Sequence, residues 1–315
     1  MERIVFGPVP SRRLGQSLGV NNIPHKVCTY SCIYCQVGKT ENLTLERKTF
    51  YSPERIIEET GRVLASLRER NEKVDYISFV SDGEPTLDLN LGRMISELGR
   101  FGVRIAVITN GSLLWMEDVR RDLAGADLVS VKIDAFSPET WKKINSPAAN
   151  LDYTKILRGI EKFREGFGKT FLTETLLVAG VNDSEPELKK IAGFLKPLSP
   201  SVAYIGIPTR PPAEQWVSPP PEDVVNMAYM IFTREGLKTE LILGGVTNDR
   251  FGYTGDIEGD ILNIISVHPM SRRQVQDLLE KAGGTWETVE KLLACKKARE
   301  IEYQGEKYYL KNFKR

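Results

Sequence analysis

Cysteine and histidine are scarce in this chain: 4 of the 315 residues are Cys and 2 are His. So few cysteines over this length do not make a disulfide scaffold, and no N-terminal apolar stretch signals secretion. The expected compartment is the cytoplasm. Long apolar runs are missing too. None approaches the ~20 residues that a membrane-spanning helix needs, so no membrane partner is expected. Neither sign of charge is in excess, with 43 Lys plus Arg against 42 Asp plus Glu. A net charge of +1 offers no general basic face to nucleic acid or lipid. No Gly-x-Gly-x-x-Gly follows the first predicted strand, which disfavours a dinucleotide-binding doubly wound sheet.

What is present is a cluster. Cys28, Cys32 and Cys35 stand in the string VCTYSCIYCQVG as a C-x3-C-x2-C triplet, and the remaining cysteine, Cys295, is distant. A structural zinc site wants four closed ligands, usually as two paired motifs, and here there is one. A Cys3His site with His25 is the zinc alternative, although His25 sits three residues before Cys28 and directly after Pro24, an awkward reach. A [4Fe–4S] cluster takes four cysteines when fully ligated. Three would leave one iron open, and an open metal position is what a catalytic site keeps. Cys295 shares an apolar helical pattern with Val289, Leu292 and Leu293 and is expected to be a buried, inert thiol.

Hydrophobic patterning gives strands that alternate with helices. Strands are predicted over 17–21, 76–80, 104–109, 128–134, 170–178, 202–208 and 238–243, and helices over 53–69, 89–101, 116–124, 153–165, 185–195 and 221–234. This alternation implies a parallel sheet with right-handed crossovers. The fold class is therefore α/β, a partial (β/α)6 TIM-like barrel. The polar motifs fall just after predicted strands: the cysteines, Ser81-Asp82-Gly83-Glu84-Pro85-Thr86, Thr109-Asn110-Gly111, Asp134, Val181-Asn182-Asp183 and Thr209-Arg210-Pro211-Pro212. In a barrel these loops converge on one face, where active sites lie.

The triplet and these loops resemble the radical S-adenosylmethionine (radical SAM) superfamily. The strings GPVPSRRLGQSLGVNNIPHKVCTYSCIYCQ, SDGEPTL, VKIDAFSPETWKKINSP and LLVAGVND are similar to a subgroup of Fe–S oxidoreductases related to the wyosine-base synthases. The wyosine synthases carry a second, N-terminal set of cysteines that this sequence does not contain, so their reaction is not carried over. The resemblance implies a [4Fe–4S] cluster on Cys28, Cys32 and Cys35, with SAM chelating the open iron. It implies that Gly83 and Glu84 hold the SAM amino group, with Asp82 in place of the usual first glycine. Tyr34 matches a position that packs on the adenine, Asn110 and Asp134 match strand-end contacts to ribose or methionine, and Asn182 matches the segment that reaches the adenine. A flavodoxin or ferredoxin reductant is implied as partner. The implied reaction is reductive SAM cleavage and hydrogen abstraction from an RNA base or from a protein or peptide.

Three further groups invite roles. Lys132 shares the inward face of its strand with Ser130 and Asp134. An inward lysine is costly unless paired or used. It either contacts the SAM carboxylate or a substrate anion, or forms an ion pair with Asp134 or Glu174. Arg210, Glu214 and Trp216 lie in the stiff string RPPAEQWVSPPPE, which either lines the substrate side or is only a rigid connection to the next helix. Arg12 and Arg13 read as solvated surface in preference to a clamp on an anionic substrate group or phosphate.

The domain boundaries are expected at 1–245 for the barrel, 246–256 for a linker and 257–315 for a small C-terminal module. Three helices over 257–267, 271–282 and 285–294, then a hairpin over 300–303 and 307–310, resemble a winged helix. From 257 to 315 there are 11 Lys plus Arg and 9 Asp plus Glu, and the third helix offers Glu287 and Glu290, which would repel phosphate. Protein docking or packing on the barrel is favoured over DNA reading. The rival functions are a redox-sensing Fe–S transcription regulator that uses the winged helix, an activase of a glycyl-radical enzyme, and a zinc-stabilised binding module.

Overall fold

The structure, a computed structural model, describes residues 4–243 and 251–312. Positions 244–250, which include the end of the expected barrel domain and half of the expected linker, lie outside the described residues.

The chain opens with β1 (Val5–Ser11), β2 (Gly15–Val20), β3 (Val27–Cys28) and β4 (Asn42–Leu43). Helix and strand then alternate: α1 (Pro53–Glu69), β5 (Tyr76–Phe79), a 3-10 turn (Pro85–Leu87), α2 (Leu91–Gly99), β6 (Arg104–Thr109), α3 (Glu117–Leu123) and β7 (Leu128–Lys132). Two helices follow β7, namely α4 (Pro138–Asn145) and α5 (Tyr153–Gly166). The series continues through β8 (Thr170–Leu176), α6 (Glu185–Leu198), β9 (Val202–Gly206), α7 (Glu222–Arg234) and β10 (Thr239–Ile242).

Among the described residues one eight-stranded sheet runs in the order β1-β2-β5-β6-β7-β8-β9-β10. Every neighbouring pair from β2 to β10 is parallel. The sheet curls into a partial TIM-like barrel. The local signals are ordinary. In α1, Pro53 occupies the first turn, and Ile56, Thr60, Leu64 and Leu67 recur every three or four residues to form the buried face. Strand β5 is buried on both faces, as a central parallel strand should be.

Besides the two-residue β3 and β4 and the 3-10 turn, two longer elements were not expected. β1 pairs antiparallel with β2 and extends the sheet by one edge strand. Its two prolines argue against a strand interior, but an edge strand has no neighbour on one side to which each N–H must donate. Helix α4 lies where no element was predicted, although Ser137 at its N-cap and Pro138 in its first turn are start signals. Strand β7 also ends at Lys132, two residues before its expected end.

Apolar packing divides in three. The main core lies between helices and sheet. A smaller cluster of Leu14, Tyr76, Ala106, Leu128, Leu172, Val202 and Tyr204 fills the barrel interior. The third belongs to the C-terminal elements: α8 (Ile257–Val267), β11 (Met270–Ser271), α9 (Arg272–Ala282), α10 (Glu287–Ala294), β12 (Ala298–Tyr303) and β13 (Glu306–Lys311). That core takes in Phe6 and Val9 from β1, so the C-terminal elements are seated on the edge strand. Cys295 departs from expectation. It is exposed at the C-cap of α10. Six residues at about 100° each rotate it ~240° from Val289, off the apolar stripe.

Candidate active site at the barrel mouth

The loop between β2 and α1 carries the three cysteines, and backbone contacts to two other loops fix its path. Lys26 N donates to the Asp82 carbonyl at 3.2 Å, and Glu84 N donates to the Val27 carbonyl at 3.2 Å. This crossing explains Gly83. A β-carbon there would lie 1.7 Å from the Val27 carbonyl oxygen, so only glycine lets the two strands of chain touch. On the other side, Ser31 N and Ile33 N each donate to the end of α4, to the carbonyls of Asn145 and Ile144 at 3.0 Å. Trp141 Nε1 donates to the Tyr30 hydroxyl at 3.1 Å. The unexpected helix is thus one wall of the cysteine loop.

All three thiols are partly buried and each meets one nitrogen donor. Asn110 Nδ2 lies 3.7 Å from Cys28 Sγ, Asn145 Nδ2 3.3 Å from Cys32 Sγ, and Lys26 Nζ 3.4 Å from Cys35 Sγ. Burial, then the Glu84 carboxylate, raises the Cys28 thiol far above its ordinary range. Burial, then Asp134, pushes Cys32 up to about 12. Among the described residues no group of three His, Cys, Asp or Glu side chains is placed to hold a single metal ion. Around one zinc ion thiolates sit only about 3.8 Å apart, from Zn–S bonds of ~2.3 Å in a tetrahedron. In a cubane each cysteine binds a different iron, so the thiolates stand wider apart. Soft sulfur donors, each facing an N–H group, and the lack of a single-ion cage among the described residues fit an Fe–S cluster better than a zinc ion.

Around the thiols stand the polar groups from the strand ends. Glu84 is buried and accepts from Thr86 N and Thr86 Oγ1, from Thr109 Oγ1 at 2.6 Å and from Asn110 N at 2.8 Å. Three of these donors share Oε1, which leaves Oε2 room for another. Burial shifts the Glu84 carboxyl upward. Asp134 receives the Tyr34 hydroxyl and Asn145 Nδ2 on Oδ2 and Leu176 N on Oδ1. Asn182 is fully buried. Its Nδ2 donates to the carbonyls of Asp134 and Leu176 at 2.7 and 2.8 Å, and its Oδ1 accepts from Val178 N. The Asn182 side chain is therefore committed to joining two loops. Asp82, at the unusual position before Gly83, is buried with Oδ2 facing His25 Nδ1 at 3.3 Å and Oδ1 without a hydrogen-bond partner.

Deeper in the barrel, Glu174 lies between two cations. It pairs with Arg13 and with Lys132 Nζ at 3.4 Å. The ion pair weighed for Lys132 is present, and its ammonium also stands 4.6 Å from the centre of the Tyr34 ring. Burial opposes a charged Lys132, but Glu174 and then Asp134 outweigh it and the group is raised. Burial likewise raises Glu174, and Arg13 and Lys132 outweigh it to leave the carboxyl low. Arg13 corrects the expectation of a solvated surface. It is largely buried because it serves as the second counter-charge to Glu174.

Arg210 bridges the cysteine loop and the C-terminal elements. Its Nη1 donates to Gln36 Oε1 at 3.2 Å and its Nη2 to His268 Nε2 at 2.8 Å. Burial, then Arg210, lowers His268 well below its ordinary range. Gln36 Nε2 donates to the Val267 carbonyl, and the hydroxyls of Tyr303 and Tyr308 donate to the carbonyls of Pro208 and Thr209. The C-terminal elements therefore reach the rim of the mouth. Glu214 pairs with Lys39 at 2.9 Å, while Trp216 is 57 % exposed.

Residues 22–192, which hold every one of these groups except Arg13 and those of the β9 loop and C-terminal elements, match the radical SAM superfamily. The chain belongs to this superfamily. Within it, the chain is 43 % identical over 312 residues to the UPF0026 protein MJ1312 of Methanocaldococcus jannaschii, covering 99 % of this chain and 97 % of the relative. It is 25 % identical over 230 residues to a probable dual-specificity RNA methyltransferase RlmN of a Thermotoga species, covering 68 % of this chain and 61 % of that one. In fold it is similar to a radical SAM methyltransferase from Sphaerobacter thermophilus, with a TM-score of 0.53 at 15 % identity, over 72 % of this chain and 66 % of that one. The protein is a radical SAM enzyme, and its cofactors are those of the superfamily, a [4Fe–4S] cluster and SAM.

Sequence reading missed Lys26 and Asn145 as members of the site. Lys26 precedes the first cysteine by two residues and carries no motif of its own. Asn145 would have followed from recognising α4, which ends on it.

Proposed function

We propose that this radical SAM enzyme abstracts hydrogen from a base in RNA at the barrel mouth, with the cluster on Cys28, Cys32 and Cys35. The observation that carries the reading is the crossing of the cysteine loop by Gly83 and Glu84, which sets a carboxylate with a spare lone pair beside three thiols. When bound and reduced, the cluster and SAM supply a 5′-deoxyadenosyl radical that takes hydrogen from a substrate carbon. Glu84 would accept from the SAM ammonium, and the crossing at Gly83 keeps that carboxylate in place. Tyr34, held by Asp134, offers a ring face to the adenine, and Asn110 and Asp134 serve the ribose or methionine part. Asn182 acts by holding the two loops together. Lys132, with a fixed charge under the mouth, meets the SAM carboxylate or a substrate anion, and Arg210 guides substrate at the rim.

The RNA substrate is supported by the likeness to an RNA methyltransferase. A protein or peptide is the second reading. Exposed Glu287 and Glu290 on α10 would repel a phosphate backbone, which favours it. The C-terminal elements form a winged-helix-like module over 257–315, following a barrel over 1–245 and a linker over 246–256. Their order, with β11 joining the β12–β13 hairpin, supports this assignment. A flavodoxin or ferredoxin supplies the electron, and the cytoplasm is the proposed compartment. No helix among the described residues is long and apolar enough to cross a membrane.

The test is anaerobic. The protein is reconstituted with iron and sulfide, given SAM and dithionite, and analysed for 5′-deoxyadenosine. Wild type is expected to form it and Cys32→Ala to form none. A fully loaded wild type that forms none would refute the reading. Mass analysis of RNA nucleosides and of peptides after incubation with each separates the two substrate classes.

A further inference from the structure

Lys26 is 2 % exposed, and among the described residues its ammonium pairs with no carboxylate. Its nitrogen stands 3.4 Å from Cys35 Sγ. A buried cation with no counter-charge is strongly disfavoured, so an anion belongs beside it. Three thiolates and the iron–sulfur core they hold would be that anion. The other two sulfurs meet neutral donors instead, the amides of Asn110 and Asn145. The three donors come from three parts of the fold: the cysteine loop itself, the end of β6 and the end of α4. The backbone of Lys26 is held with equal care. It takes a left-handed φ of 59°, its N–H donates to the Asp82 carbonyl, and its own carbonyl accepts from Glu41 N and Asn42 N at 3.2 and 3.0 Å. Side chains with a β-carbon rarely adopt that conformation, so the surrounding contacts fix where the ammonium points.

We infer that Lys26 is a positioning residue that sets the reduction potential of the cluster, with Asn110 and Asn145 as weaker, neutral counterparts. The inference rests on placing the cluster at Cys28, Cys32 and Cys35. Hydrogen bonds and net charge at the sulfurs are the levers by which a protein tunes such a cluster. Reduction adds one electron and makes the site more negative. A fixed positive charge at Cys35 therefore favours the reduced form, and removing it favours the oxidised form.

The experiment uses the full chain, reconstituted anaerobically without SAM, with iron and sulfide measured for every sample. The reduced-to-oxidised ratio is read by electron paramagnetic resonance at a series of applied potentials. Loaded Lys26→Met is expected to show that ratio lowered about tenfold at a given potential, or about 59 mV for a one-electron couple. Lys26→Arg, which keeps the charge, should stay near wild type. Asn145→Ala should shift the ratio less than Lys26→Met does. If Lys26→Met loads poorly, Lys26→Gln carries the same test, with an N–H donor but no charge. A loaded neutral variant with the wild-type ratio overturns the inference. So does a Lys26→Arg protein that shifts as far as Lys26→Met. Wild type that takes up no iron would instead remove the cluster placement on which the inference rests.

Discussion

Two carboxylates in this molecule each sit between two cations, and their surroundings differ sharply. Glu174 lies inside the barrel between Arg13 and Lys132, with little of its side chain exposed. Glu258 lies on the C-terminal elements between Lys291 and Lys297, at 3.0 and 3.1 Å, with its partners in solvent. Both carboxyls are held below their usual range. For Glu258 the cause is hydrogen bonding to Lys291, then to Lys297. For Glu174 the Coulombic pull of Arg13 and Lys132 must first overcome burial. The contrast extends to whole regions. The barrel mouth buries Lys26, Asp82, Glu84 and Asp134, whereas the C-terminal elements bury one carboxylate among the described residues, Asp260, beside an apolar core of side chains such as Phe251, Ile264, Leu278 and Tyr309. Buried charge is expensive and survives where something depends on it. The barrel spends stability on a charged interior at its open end, and the C-terminal elements use apolar packing to stay seated on the edge strand.

Substitutions at matched places can break that contrast. Glu174→Leu removes the carboxylate that the largely buried Arg13 and Lys132 share and should cost about 3–5 kcal/mol. Glu258→Leu should leave stability close to wild type, because exposed pairs contribute little. Equal losses in urea unfolding would show that the two sites do not differ as described. Gly83→Ala forces a methyl onto the Val27 carbonyl and should cost about 1–3 kcal/mol, with iron uptake falling alongside. A variant with wild-type melting temperature and iron content would mean that the crossing of the two loops is not needed.

The smallest effect concerns the contact between the two regions. His268 is neutral in the fold, facing Arg210 and, edge-on, the Phe251 ring at 6.0 Å. In the unfolded chain it takes a proton near pH 6.5. Its folded value is depressed, so its contribution is present above that pH and is lost as the pH falls below it, by up to about 1.4 kcal/mol per unit. His268→Gln keeps an acceptor for Arg210 and removes the titration. Its melting temperature should fall less between pH 8 and pH 5 than that of wild type. Identical pH profiles would remove His268 from the contact.

Much of this was legible in the sequence because it is local. The strand–helix alternation rests on periods of two and 3.6 residues, and the six βα units closed by a further strand emerge from it. The triplet was equally plain, since metal ligation fixes residue type and spacing together. What escaped depended on neighbours that only folding brings near. No strand was predicted at β1, because its two prolines suit a strand only at a sheet edge and nothing in the string says that it lies there. Arg13 read as surface because Glu174 is 161 residues away. Cys295 read as core because the apolar stripe beside it was given one position too many. Lys26 was silent because a lysine is ordinarily solvated, and only its burial against Cys35 makes it unusual.

By itself, then, the sequence determined the sulfur ligands, the alternation that builds the sheet and the loops that carry the polar groups. These follow from side-chain chemistry and from periodicities a few residues long. The tertiary structure decided which of those groups meet. It brought Glu84 to the cysteine loop through a glycine crossing, gave each thiol its own nitrogen donor, and set the C-terminal elements at the rim through Arg210 and His268. Those choices depend on close packing and buried charge, which exist only once distant segments have excluded water together.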